Sequence, residues 1–363
     1  MFRKKTPSPP SAPAAAVSDA GPCQKALQLR VGSERIAPVR AAVLEEFRKD
    51  TTLAGFRKGK APAEIVERHY AKPIQEETLQ RVMRQAFQEA ATTHRLKPVG
   101  PFEVGRADFS ETDGLMLEAT VEVEPSFPLG AYKGIPLTRS PVGVSAQDIE
   151  QALAKLQASS AQLVPSKEGE AKERQLPAID DEWAKDVGFE TLQKLKEHAE
   201  AKLLEQQRAA QQQAVESALY EALLARHTFD LPARLVSHQT ERLTRDFTVR
   251  LLLSGMPEEQ VKERLTQFTD QLRQAGERHV KLGFICDRIA DQESIAVTQD
   301  ELVGRLWQLA RRWNKDPAEV RKTLDAQGLW PSVVSTIRQE KTMAMLLAHA
   351  TINETTPPKE ESA

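Results

Sequence analysis

The chain has 363 residues, with 50 basic and 52 acidic side chains, a formal net charge of −2, 40% apolar residues and 28% charged ones. That length allows two or three domains with cores of their own, whereas the near balance of charge excludes a global field for nucleic acid and leaves only local patches. No apolar run approaches the roughly 20 residues that a membrane-crossing helix needs, and an aromatic share of 5% argues against an aromatic-rich ligand pocket.

The opening stretch MFRKKTPSPPSAPAAAVSDAG has cations but no continuous apolar segment, which argues against a secretory signal. Its Pro, Ser and Ala content predicts a disordered tail over 1–22, with an organellar transit peptide as the minor alternative. Cys23 and Cys286 lie far apart and in no metal or redox spacing. Two free thiols in a reducing cytosol is the simpler reading, and a disulfide is the other.

In KALQLRV, Leu27, Leu29 and Val31 alternate with polar residues, as in a strand with one buried face. A helix follows over about 37–48, and then the octet GFRKGKAP, residues 55–62. Gly55 and Gly59 permit backbone angles closed to other residues, so the loop can project sharply. Phe56 offers a flat apolar face, and Arg57, Lys58 and Lys60 seek phosphate or carboxylate, arginine by a bidentate fork. An aromatic ringed by cations suits a ribonucleoprotein surface; the alternative is a solvated loop whose phenylalanine folds back into the core. Pro62 sits where a first-turn proline is tolerated and opens AEIVERHYA as a short helix.

A longer helix is expected over about 74–94, with Leu79, Val82, Ala86, Phe87 and Ala90 as its buried stripe. PFEVGRADF and LMLEATVEVE then read as a hairpin turned at Asp113–Gly114. Residues 23–125 thus make one α+β domain. The proline-rich connector and the helix capped by Ser145 and Asp148 form a linker over 126–165, and the charged run 166–175 reads as a featureless junction. From 176 to 353 nearly everything is helical, in about six or seven helices, with a disordered tail over 354–363. The longest helix, up to Arg226, carries a thin stripe of Leu192, Leu195, Ala199, Leu203, Ala210, Ala214, Ala218 and Ala222.

Other chemistry is hard to find. The seven histidines show no HExxH pair, and no phosphate cradle or nucleophile elbow occurs, so no cofactor, metal or catalytic residue is expected. Asp180–Asp181 reads as helix capping. Met256, Val261, Leu265, Phe268, Leu272, Trp307 and Trp313 are each favoured as core, although as a group they could offer apolar contacts to a client.

The octet resembles the ribosome-docking signature of the trigger factor family of bacterial chaperones. AEIVERHYAKPIQEETLQRVMRQAFQEA after it, KPVG before a strand, and the stretch from GERHVKLGF to LLAHATI resemble the same family's following helices and C-terminal region. The resemblance covers roughly 23–165 and 176–353. It implies an elongated multi-domain protein, with an α+β ribosome-binding domain followed by a mainly α-helical, arm-bearing chaperone domain. Its docking motif falls on Gly55, Phe56, Arg57, Lys58, Gly59, Lys60 and Pro62. It implies an ATP-independent, cytoplasmic chaperone that grips a ribosomal protein and nearby rRNA at the exit tunnel. Such a chaperone shields nascent chains in a helical cradle and assists their folding and export, with no membrane or DNA partner. A homodimer away from the ribosome is an open alternative, as is a holdase that works without the ribosome. The sequence departs from the family in one respect. An FKBP-type prolyl isomerase domain is normally inserted at the junction, and ten residues cannot form such a barrel. The expected protein is therefore not an enzyme.

Overall fold

A computed structural model describes residues 14–110, 113–160, 162–165 and 172–354. They fall into two compact units, one made of 1–128 with 228–284 and the other of 129–227 with 285–363. The division cuts through the helical region 176–353, and its middle part belongs with the N-terminal residues.

The first unit is built on four antiparallel strands, β1 (Ala14–Gly21), β2 (Gln24–Val31), β3 (Glu103–Ser110) and β4 (Gly114–Glu122), in the order β1-β2-β4-β3. Leu27, Leu29 and Val31 of β2 and Leu115, Leu117, Ala119 and Val121 of β4 face one core, as the alternation requires. Three helices, α1 (Ser33–Asp50), α2 (Ala63–His69) and α3 (Ala71–Thr93), belong to the same unit, and α3 closes that core with Val82, Ala86 and Ala90. The β3–β4 turn depends on glycine. Gly114 has φ +88°, and a Cβ there would lie 2.1 Å from the Val31 carbonyl oxygen.

The tail expected over 1–22 is not wholly without structure. Residues 14–21 form β1, paired to β2, with Ala15 and Val17 against the core; residues 1–13 lie outside the described range. A free strand edge on β2 recruits even this weakly strand-forming sequence. α1 also begins four residues earlier than expected, with Pro38 inside it.

Two long helices complete this unit: α7 (Ala233–Leu253) and the part of α8 (Glu258–Gln292) up to Phe284. The approach to α7 is fastened to the sheet. Phe127 stacks on Phe229 at 3.9 Å between ring centres, and the Cys23 thiol donates to the Asp230 carbonyl at 3.2 Å. The Glu122 carboxylate accepts from the backbone N–H groups of Arg234 at 2.8 Å and Leu235 at 3.2 Å.

The second unit holds β5 (Pro136–Arg139), α4 (Ala146–Ser159), α5 (Asp181–Asp186), α6 (Leu192–Arg226), α9 (Gln299–Trp313), α10 (Pro317–Ala326), α11 (Trp330–Ala348) and β8 (Thr351–Glu354). Ser145 and Asp148 form the expected capping box on α4. The aspartate pair caps too. Asp180 accepts from the N–H of Glu182 and Trp183, and Asp181 from that of Leu192 at the start of α6.

The stripe on α6 departs from expectation in its second half. Val215, Leu219 and Leu223 are buried in place of the alanines one residue earlier, because the longer side chains reach further into the neighbouring core. The junction also differs. Residues 172–175 form β7, which pairs with β6 (Gln162–Pro165); residues 166–171 lie outside the described range, as do 355–363.

His227, only 2% exposed, has both ring nitrogens occupied. Nε2 accepts from the Gly130 N–H at 3.0 Å, so Nδ1 must carry the proton it donates to the Leu223 carbonyl at 2.8 Å.

Near the end of α8, Glu293 bonds Lys133 at 2.7 Å and the Tyr132 hydroxyl at 2.7 Å. Lys133 first, then Tyr132, holds this carboxyl below its ordinary value of 4.5. Below about pH 4.5 the unfolded chain takes up the proton first, so this contribution to stability is lost as pH falls through the folded value. The expected result is that Glu293→Gln flattens the acid side of the melting temperature against pH and leaves the neutral side nearly parallel to wild type.

The candidate docking loop

The loop between α1 and α2 is pinned at both ends. Leu53 and Ala61 pack on a small core of Val43, Val66 and Ile74, and Pro62 is the N-cap of α2. Between these anchors the backbone makes two successive tight turns. The Phe56 N–H donates to the Leu53 carbonyl at 3.0 Å and the Lys60 N–H to the Arg57 carbonyl at 2.9 Å. Gly55 with φ +87° and Gly59 with φ +79° occupy the third position of their turns, where a positive φ favours glycine. The two turns push 55–60 away from the core that holds their ends.

Phe56 lies outside that core and is 37% exposed. Arg57, Lys58 and Lys60 are exposed, and among the described residues none of them makes an ion pair. The scaffold behind them is different. Arg81 bonds both carboxylate oxygens of Glu46, at 2.8 and 2.6 Å, and Glu77 as well; Arg40 bonds Glu67 and Arg35 bonds Glu89. Arg81 draws the Glu46 carboxyl below its ordinary range. Those scaffold arginines are paired internally, whereas the loop's three cations make no ion pair among the described residues and are available for an external anion.

The structure adds exposed Ile65, Arg68 and His69 on α2, the helix that follows the octet. The signal was present in Ile65–Val66, since adjacent residues of a helix cannot both face one core and Val66 is the buried one.

Both thiols are free. No group of three or more His, Cys, Asp or Glu side chains among the described residues could hold a metal ion. No helix among them is long and apolar enough to cross a membrane. Trp307 and Trp313, favoured as core, are 54% and 43% exposed. Leu306, Leu309 and Ala310 take the inward positions of α9 instead.

Residues 14–156 match the family model of the bacterial trigger factor protein, and residues 191–348 match that of the bacterial trigger factor C-terminus. The trigger factor of Desulforamulus reducens is 25% identical, covering 91% of this chain and 96% of its own. That of Moorella thermoacetica is 26% identical, covering 96% and 97%. The alignment with the first runs over 418 positions, more than the 363 residues present here, so the relative has residues without a counterpart in this chain. A solved structure of a trigger factor chaperone is 18% identical, with a TM-score of 0.45, covering 92% of this chain and 99% of its own.

Proposed function

The chain belongs to the bacterial trigger factor family, and from that membership we propose that it is an ATP-independent cytoplasmic chaperone that docks on the ribosome through the 55–62 loop. One observation carries the reading: Phe56, Arg57, Lys58 and Lys60 stand exposed on a loop anchored at both ends, and the cations make no ion pair among the described residues. A pinned base lowers the entropy lost on docking. The exposed aromatic and the three cations match a ribosomal surface that mixes protein and phosphate. Pelleting with ribosomes over a salt series tests this. If each of two or three side chains contacts a phosphate, the log–log slope is about −2 to −3, whereas salt-insensitive pelleting points to a protein contact alone.

Client shielding is supported by apolar side chains left in the open. Val249 and Leu253 near the end of α7 are 54% and 84% exposed. An open groove of about 860 Å³ runs between α7 and α8, lined by Phe229, Val236, Thr240, Thr244, Arg273 and others. Such surfaces suit transient burial of unfolded segments. The same observation favours a second reading, a holdase that needs no ribosome; aggregation suppression at full strength with no ribosome pelleting would establish it.

The isomerase activity of the family is not part of the proposal. Neither family model extends over 157–190, and the described part of the junction is a four-residue strand pair. In a proline-limited refolding assay the expected rate equals the buffer rate. Acceleration abolished by an FKBP-site ligand would overturn that expectation.

A further inference from the structure

The apolar stripe of α6 does not close against α4 along its whole length. Leu195 is buried and joins Leu153 and Trp183 in one core. One and two turns later, Ala199 and Leu203 are only half-buried. They line an open groove of about 510 Å³ between the two helices, with Leu195 as its floor. Ala152 and Leu156 line the α4 wall, and Val187 and Phe189 come from the stretch between α5 and α6. Ala152 and Ala199 each carry a single methyl group where longer side chains would fill the gap. Val187 and Phe189 fall outside the residues that either family model matches, so part of the wall belongs to this chain's own junction.

The charge of the rim is one-sided. Lys155 stands on the α4 wall and Lys202 on the α6 wall. Both are exposed and make no ion pair among the described residues. His198 shares the rim, its ring 5.0 Å from that of Phe189 between centres. The one carboxylate among the lining residues, Asp148, is engaged by the Ser145 N–H and hydroxyl at 2.9 Å each. An apolar floor under two unpaired ammonium groups fits a ligand with a long apolar body and an anionic head.

We propose that the α4–α6 groove binds a free long-chain carboxylate, with the acyl chain along Leu195, Ala199 and Leu203 and the head group at Lys155 and Lys202. The lining face of α6 runs for about 18 Å at 1.5 Å per residue, room for a chain of about twelve carbons. An acyl chain brings no polar group onto that floor. An extended peptide laid there would bury backbone N–H and C=O groups against side chains that offer them no partner. The inference goes beyond the chaperone reading and does not depend on it.

The test is calorimetric titration of the full chain with laurate, dodecylammonium and acetate, each amphiphile kept below its micellar concentration. The expected result is one laurate per chain and no measurable binding of acetate. Laurate should be preferred to dodecylammonium roughly tenfold, since each exposed cation attracts one head group and repels the other by roughly a factor of two. Each methylene removed from the acid should weaken binding about threefold. Lys155→Glu with Lys202→Glu should reverse the head-group preference, and Ala199→Trp, which fills the groove, should abolish laurate binding. The two lysines are exposed, so their double variant carries the test even if the tryptophan unsettles the helix. Several laurates per chain, equal affinity for the two amphiphiles, a preference untouched by the double variant, or release of laurate by a neutral leucine-rich peptide overturns the proposal. Ribosome pelleting should respond to neither variant, so failure here leaves the docking reading standing.

Discussion

Replacing Phe56, Arg57 and Lys58 together by alanine should abolish co-sedimentation with ribosomes while leaving the unfolding temperature close to wild type. The stability half follows from where the side chains are. None belongs to the core that pins the loop, Phe56 is exposed, and the two cations make no ion pair among the described residues. Surface substitutions of that kind usually change stability by less than about 0.5 kcal/mol. The binding half follows from what they would bury. Seating a phenylalanine contributes about 1.5–3 kcal/mol, and charge-assisted hydrogen bonds contribute about 1.5–3 kcal/mol each when desolvated. Their combined loss is a fall of at least about three orders of magnitude in affinity, enough to empty a pelleting assay. The turns should survive, because Gly55 and Gly59 are kept. Unchanged pelleting of the triple variant, with client protection retained, would make the protein a ribosome-independent holdase.

The strands and helices of the first unit were legible because their cores are local patterns. Alternation in Leu27, Leu29 and Val31 and in Leu115 to Val121 marks the buried face of a sheet, and the spacing of Val82, Ala86 and Ala90 marks a helix lying on it. β1 was not legible: AAAVSDAG has weak strand propensity, and its pairing comes from the β2 edge. The grouping of 228–284 with the N-terminal residues was equally invisible, because it rests on pairs such as Phe127–Phe229 and Glu122–Arg234, more than a hundred residues apart in sequence. In the 55–62 loop the glycines announced the turns, but only the three-dimensional packing of Leu53 and Ala61 shows which way Phe56 is sent. Trp307 misled for the opposite reason. A large aromatic on an amphipathic helix reads as core until the inward positions are seen to be filled by Leu306, Leu309 and Ala310.

Glu122→Ala should be the most damaging single substitution at the join between the sheet and α7. Pro232, the N-cap residue, provides no side-chain cap, so the first-turn N–H groups of Arg234 and Leu235 depend on the Glu122 carboxylate. Glu122 is 9% exposed, and its carboxylate sits at the positive end of the helix dipole. Alanine removes the acceptor and leaves half-buried donors without a partner, at a cost of about 2–4 kcal/mol. Denaturant unfolding and amide exchange at 234 and 235 would measure it, with exchange there accelerating more than in β2. Glu122→Gln should fall between, since one acceptor oxygen remains but the charge is gone. Phe229→Ala loosens the same segment, so the double variant should lose less than the two single losses combined. Full additivity, or unaltered exchange in the Glu122 variants, would show that α7 is held by other contacts. Ribosome pelleting should not respond to Glu122→Ala, because the loop is anchored on the separate core of Val43, Val66 and Ile74; a parallel loss of pelleting would mean that this join also holds the docking loop in place.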